Sequence, residues 1–270
     1  MFSVVGTWYS MARRRRSRRT AATRVRRRHR AAKVNIDSLI ASIAPTVYSR
    51  LGLDLLGLSL EDCKTILRPI VEAIVEAYSS RPSTSSVLNK IMAHEDRFYV
   101  YVAAYILEKM EHYTPEQLSF IASYGDGVVC RYVPKLYEEA SRQGLDDVIA
   151  MLRAAWMKHC NPPPYTCPRC GFPGVVPDLH CIVCGYELSE REFKEAVDFT
   201  EQLRLFAEEA SVAELLEVRD RRVVLVSPQG IKPPSAPRSP VDVEVRLTRD
   251  EVKIIEEALR RRAGGKDSGS

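Results

Sequence analysis

Four of the seven cysteines fall into two pairs with the same spacing, and this pattern constrains the fold more than any other feature. The first pair is Cys167 and Cys170, the second is Cys181 and Cys184, and ten residues separate the pairs. Two CxxC pairs can place four thiolates around one ion, and a tetrahedral set of four sulfurs suits Zn²⁺. We therefore predict a zinc site with these four cysteines as ligands.

Both pairs lie in short motifs, CPRCG and CIVCG, in which a glycine follows the second cysteine. Gly171 and Gly185 allow the backbone to take a positive φ as it folds back. The segment resembles a zinc ribbon of the short-loop kind, and the resemblance covers residues 165–187 only. Ribbons of this kind occur in transcription, translation and replication proteins and in interaction modules. With all four positions filled by protein sulfur, no site remains for an activated water, so the predicted zinc is structural.

The remaining cysteines and the nearby histidines leave two alternatives open. His180 could replace a cysteine ligand, and the CxxC pairs could be redox-active, although no surrounding βαβ pattern favours that. The other cysteines, Cys63, Cys130 and Cys160, are scattered through helical sequence. An odd count with CxxC spacing favours a reducing, cytoplasmic compartment over an extracellular disulfide framework.

A strongly basic segment precedes the rest of the chain. Residues 11–33 contain 11 Arg, one Lys and no acid, a charge of +12, whereas the whole chain carries only +5, so the remainder carries −7. The planar guanidinium group matches phosphate, and such a segment is expected to be disordered alone and to order on its target. We predict residues 1–33 to be a disordered arm whose nucleic-acid-binding residues are Arg13, Arg14, Arg15, Arg16, Arg18, Arg19, Arg24, Arg26, Arg27, Arg28, Arg30 and Lys33.

Other roles for the arm are a solubilising tail, a nuclear or organellar address, or a contact for an acidic protein or anionic membrane. RNA is slightly favoured over DNA because disordered Arg-rich segments commonly enter folded RNA. A start at Met11 instead of Met1 would change none of this. The longest apolar run, residues 98–107, is too short to span a bilayer, so we predict no membrane partner.

The hydrophobic pattern predicts a mainly α fold. Residues 34–161 read as an all-helical domain, with a capping box at Ser59, a Thr114-Pro115 helix start, and Tyr99, Tyr101 and Tyr105 in the core. The ribbon occupies residues 162–187. Residues 188–263 are predicted to form one long helix with a short one after it, two strands at 222–226 and 241–247, and a final helix. Residues 264–270 are predicted to be a disordered tail.

These features predict a non-enzymatic, zinc-containing nucleic-acid-binding protein. The sequence has no phosphate-binding glycine loop, GxSxG or HExxH motif. The alternative is a protein-interaction scaffold in a transcription, translation or replication assembly, with a partner at the ribbon or the C-terminal segment. For the ribbon we expect an exposed apolar surface suited to protein contact or to bracing the domain, formed by Phe172, Val175, Val176, Ile182 and Val183.

Overall fold

The computed structural model describes residues 34–77 and 82–264, and its fold is mainly α, as predicted. The Arg-rich arm and residues 265–270 of the predicted tail lie outside the described residues. The chain divides into two compact units, one up to Val128 and one from Val129 onward. The helical domain expected over residues 34–161 is therefore divided, because its last two helices belong to the second unit.

The described residues of the first unit, 34–77 and 82–128, form helices and no strand, and they include the start of a 3-10 turn at Asp126–Arg131. The order of the helices is α1 (Ile36–Arg50), a 3-10 turn (Leu53–Leu56), α2 (Leu60–Ala77), α3 (Thr84–Met92), α4 (Glu95–Lys109) and α5 (Pro115–Tyr124). Fully buried aliphatic side chains from all of these helices fill the core, including Ile43, Leu67, Ile91, Ile106 and Leu118.

Side-chain caps fix where these helices begin. The capping box predicted at Ser59 is present, because the Asp62 amide donates to Ser59 Oγ at 3.1 Å and the Ser59 amide donates to Asp62 Oδ2 at 2.8 Å. At α5, Thr114 forms a capping box with Gln117, and Pro115 occupies the first turn. The tyrosines of α4 differ from the prediction, because Tyr99, Tyr101 and Tyr105 are half-buried at the edge of the core.

Asp62 gives the first unit a pH-dependent link between α2 and α4. Its Oδ1 accepts a 2.5 Å hydrogen bond from the Tyr105 hydroxyl. Burial opposes the charged form, but the hydrogen bonds from Ser59 and Tyr105 outweigh it and hold the pKa of Asp62 below its usual value. The charged carboxylate is therefore the form that the fold favours.

We expect Asp62→Asn to destabilise the first unit by about 1 kcal/mol at neutral pH, through loss of the charged cap and of the bond to Tyr105. A lowered pKa contributes stability that is present above the unfolded value, about 3.9, and is lost as the pH falls through the folded value. Hydrogen exchange of the α2 amides should show the difference from wild type at neutral pH and its disappearance in strong acid. A difference that persists in acid would contradict this assignment.

The second unit begins with a helical hairpin and continues through the ribbon into a small α+β segment. Its elements are α6 (Val133–Arg142), α7 (Asp146–His159), β1 (Tyr165–Thr166), β2 (Pro173–Val175), α8 (Glu190–Ala196), α9 (Phe199–Glu209), α10 (Val212–Arg221), β3 (Val223–Ser227), β4 (Gly230–Lys232), β5 (Val243–Arg246) and α11 (Arg249–Gly264). No helix among the described residues is both long enough and apolar enough to cross a bilayer.

Where one long helix was predicted after the ribbon, the structure has two. A capping box at Ser189 starts α8, but the helix ends at Ala196, and Asp198 takes a left-handed conformation with φ 50°. Phe193 and Phe199 are six residues apart, which on a straight helix places them about 240° apart. The break allows both rings to be buried, at 1% exposure each.

The C-terminal sheet has three strands instead of two. The antiparallel order is β4-β3-β5, and β4 lies between the two predicted strands, where no strand was predicted. Residues 228 and 229 connect β3 to β4 in a tight hairpin. α11 packs on α9 and α10, and the Arg262 guanidinium donates to main-chain oxygens at the C-terminal end of α9, those of Ala207 and Glu208 at 3.2 and 2.8 Å. This contact satisfies carbonyls that the helix end leaves without partners.

Candidate metal centre

The two cysteine pairs form loops with the same backbone geometry. In the first, the Gly171 amide donates to Cys167 O at 2.9 Å, and in the second the Gly185 amide donates to Cys181 O at 2.8 Å. Gly171 and Gly185 have φ values of 72° and 67°, which confirms the positive φ predicted for both. Each loop therefore turns both of its sulfurs toward one point.

The four sulfurs converge as a metal site requires. The Sγ atoms of Cys167, Cys170, Cys181 and Cys184 all lie within 4.8 Å of one another. Two of the distances, Cys167 to Cys184 and Cys170 to Cys181, are 3.8 and 3.7 Å. A tetrahedron with Zn–S bonds of about 2.3 Å has sulfurs about 3.8 Å apart, so the donor set fits Zn²⁺ in both chemistry and size.

Proximity also perturbs the acidity of these thiols. The contact with Cys170 lowers the pKa of Cys181 to about 5, and the same contact, together with burial, raises the pKa of Cys170. One sulfur of this pair is thus held as a thiolate by the other, which is the form that binds a metal. Three of the four cysteines are buried and Cys184 is half-buried. With four protein sulfurs and little exposure, the centre suits a structural ion.

The hairpin α6–α7 covers the first knuckle, the loop formed by residues 167–171, together with the strand after it. The Trp156 indole Nε1 donates to Pro173 O at 2.6 Å, and Arg153 Nη2 donates to Cys170 O at 3.0 Å. The Arg153 guanidinium also lies 5.3 Å from the centre of the Phe172 ring, and Tyr137 meets the same ring edge-on at 5.6 Å. These contacts fix both the backbone and the aromatic side chain next to a ligand.

This packing corrects the expectation of an exposed apolar surface on the ribbon. Phe172, Val175 and Val183 are buried, at 0%, 1% and 3% exposure, and Val176 is half-buried. Ile182 alone of the five is exposed, at 37%. Sequence reasoning missed this because the hydrophobic pattern of so short a module does not show which part of the chain covers it.

Tyr165 joins the ribbon to the C-terminal segment. Its hydroxyl donates to Val226 O in β3 at 2.8 Å, and its ring packs edge-on against Phe193 of α8 at 5.1 Å. A second connection runs from Tyr186, whose hydroxyl donates to Glu192 of the α8 capping box. The ribbon therefore contacts the hairpin through one set of side chains and the α+β segment through another.

The other residues singled out in the sequence lie apart from the sulfur cluster. His180 Nδ1 is 2.7 Å from Asp178 Oδ1 and is not among the clustered donor atoms, so the four cysteines form the set. Every predicted nucleic-acid-binding residue of the arm, from Arg13 to Lys33, lies outside the described residues.

A disulfide between Cys130 and Cys160 is a second feature near this site that the sequence did not predict. No pairing was predicted for these two cysteines, which are scattered through helical sequence, but their Cα atoms are 5.3 Å apart and the sulfurs are bonded. Cys63 remains a free, buried thiol in the first unit. The separation of 30 residues carries no motif, and only the antiparallel pairing of α6 with α7 brings the two ends together.

Comparison with protein families, curated proteins and solved structures finds no match to this chain. The assignment of the metal centre is therefore based on the cysteine spacing and on the geometry of the sulfurs and their neighbours.

The two knuckle glycines offer a matched pair of substitutions. A Cβ on Gly171 would lie 2.8 Å from Arg153 Nη2, whereas a Cβ on Gly185 would meet nothing within 4 Å. Both have positive φ, so Gly185→Ala should cost about 1–2 kcal/mol in backbone strain alone. We expect Gly171→Ala to cost more, because it also displaces the Arg153 guanidinium. Thermal unfolding of the zinc-loaded chain compares the two, and equal losses would contradict a positioning role for Arg153.

Proposed function

We propose that this chain is a non-enzymatic, zinc-containing nucleic-acid-binding protein, with RNA slightly favoured over DNA. In this proposal the Arg-rich arm contacts the phosphate backbone and the zinc ribbon braces the second unit. The observation that carries it is the segregation of charge, +12 in residues 11–33 against −7 in the rest. Binding through such an arm is strong but nearly independent of sequence.

The charge of the two units supports the arm as the main electrostatic anchor. Residues 34–128 contain 12 acidic and 7 basic side chains, a net charge of −5, and residues 129–270 carry the remaining −2. Many basic side chains of the units already lie within 4 Å of a carboxylate, and these are Lys64, Arg68, Arg142, Arg191, Lys194, Arg204, Arg219, Arg221, Lys232, Arg238, Lys253, Arg260 and Arg261. A cation that is already paired with a carboxylate contributes less binding free energy when it contacts a phosphate.

The geometry of the ribbon supports a bracing role for the zinc. Trp156 and Arg153 contact one part of the ribbon, and Tyr165 contacts β3. Four sulfur ligands leave no coordination position for an activated water, so the proposed zinc holds these elements together and takes no part in a reaction.

The experiment is to measure binding of the full chain and of a variant lacking residues 11–33 to labelled single-stranded RNA and duplex DNA. Fluorescence anisotropy at constant salt should show binding by the full chain and its loss in the variant. Zinc content serves as the control, because deletion of the arm should leave one zinc per chain. Equal binding by both proteins would overturn the proposal.

A protein-interaction scaffold is the second candidate, and exposed apolar side chains on the C-terminal helices favour it. Leu205 of α9 is 51% exposed, and Val212 and Leu216 of α10 are 49% and 36% exposed. In this alternative the arm only recruits or localises the protein. Partners that remain bound after complete nuclease digestion, and that a Leu205→Glu variant loses, would support the scaffold.

A further inference from the structure

The Cys130–Cys160 disulfide closes the open end of the hairpin that holds the zinc ribbon. Cys130 lies just before α6 and Cys160 directly follows α7. At the opposite end, Gly144 has φ 68° and the Leu145 amide donates to Ala140 O at 3.0 Å, so a tight turn joins the helices there. Turn, helices and disulfide together form a covalent ring.

The ring is directly connected to the ribbon. The Cys160 amide donates to Trp156 O at 3.1 Å, which places the disulfide one helical turn from the indole that donates to Pro173 O. Arg153, nearly one turn further back, donates to Cys170 O, the carbonyl of a ligand residue. On the other helix of the ring, α6, Tyr137 packs against Phe172.

We propose that Cys130 and Cys160 form a redox modification site that controls how tightly the second unit retains its zinc. Arg153 and Trp156 are positioning residues in this scheme, since Arg153 acts through the backbone of the first knuckle, Trp156 acts through the backbone of β2, and neither supplies a ligand atom. With the disulfide intact, both ends of α7 are fixed, and the hydrogen bonds from Arg153 to the knuckle and from Trp156 to β2 are held. After reduction the C-terminal end of α7 can fray, the knuckle opens more often, and zinc leaves faster.

The chemistry requires only a two-electron reductant. A phosphine attacks one sulfur, the S–S bond breaks, two protons from water give the two thiols, and the phosphine takes the oxygen to become a phosphine oxide. Within a cell a dithiol would supply the same two electrons by exchange and become a disulfide itself. Cys130 and Cys160 are half-buried and not fully enclosed, and the four ligand sulfurs are separate atoms that the reaction does not consume.

The test uses the full, zinc-loaded chain and follows release of zinc into a chromogenic chelator. Wild type is measured with and without a phosphine that binds zinc weakly, next to a Cys130→Ser/Cys160→Ser double variant. We expect zinc release roughly tenfold faster after reduction, as is typical when groups outside the ligand set are disturbed. The double variant should release zinc at the fast rate in both conditions. Cys63→Ser, which alters a buried thiol of the first unit, should behave as wild type.

A Trp156→Phe variant separates this coupling from a general loss of stability. It should release zinc faster than wild type in the oxidised state and respond little to the phosphine, because the contact that transmits the effect is already absent. Full redox sensitivity in Trp156→Phe would overturn the proposed route through that residue. Equal release rates for oxidised and reduced wild type, or an intact mass showing no disulfide after purification under air, would overturn the proposal itself. The comparison of oxidised with reduced wild type involves no substitution. It therefore decides the proposal even if a variant fails to fold.

Discussion

Replacing Cys181 by serine, or removing zinc from the wild-type chain with a strong chelator, should unfold the ribbon and loosen the second unit. Structural zinc contributes about 10–16 kcal/mol of apparent binding free energy in small zinc modules, as much as the whole stability of a typical domain, about 5–15 kcal/mol. The ribbon has only two short strands, and its buried side chains depend on the knuckles for their position. Little other secondary structure would hold it in place.

Hydrogen exchange can locate this effect, because the protection of backbone amides is measured separately in each of the two units. We expect residues 165–188 and β3 to lose protection in Cys181→Ser, while α1 to α5 keep theirs. Cys63→Ala is the matched control, since Cys63 is a buried cysteine of the first unit and is not a ligand. It should retain one zinc per chain. Full protection of the ribbon amides after zinc removal would contradict the bracing role.

Changing all eleven arginines of the arm to glutamine should abolish the salt dependence of nucleic-acid binding. If all 12 charges of the arm contact phosphates, log K falls with log salt at a slope of about −11 on duplex and about −8 on single strands. Over a fourfold rise in salt this is a loss of roughly 10⁵-fold or more. Partial engagement gives a smaller slope. In the glutamine variant we expect a slope near zero and very weak binding.

An arginine-to-lysine variant of the same eleven positions is the matched control. It keeps the charge and loses the planar donor pair, so the slope should stay close to that of wild type while affinity falls modestly. Comparison of RNA with DNA of the same sequence tests the preference for RNA. An unchanged slope in the glutamine variant would show that the arm does not contact phosphates.

Local signals in the sequence predicted local structure well. The helix starts predicted at Ser59 and Thr114 are present, each with reciprocal hydrogen bonds to the residue three positions on, and Ser189 and Ser211 start helices with the same motif. The cysteine spacing predicted the sulfur cluster, because two tight loops with glycine after them have few ways to fold. Each cap depends on residues within about five positions of one another, and each cysteine loop spans five residues, 167–171 and 181–185.

The features that were missed depend on distant parts of the chain. The break at Asp198 has no glycine or proline to mark it and is stabilised by Gln202, whose side chain donates to Val197 O at 2.6 Å. The strand β4 is only three residues long and owes its conformation to pairing with β3. The disulfide and the burial of Phe172 both require the hairpin α6–α7 to fold back, and no short motif encodes that.

X-ray absorption at the zinc edge tests the central claim most directly, on the purified full chain without added metal. We expect one zinc per chain with four sulfur neighbours at about 2.3 Å and no lighter ligand. A nitrogen or oxygen neighbour at about 2.0–2.1 Å would contradict it, because His180 or water would then replace a cysteine and the site would no longer be a closed structural centre.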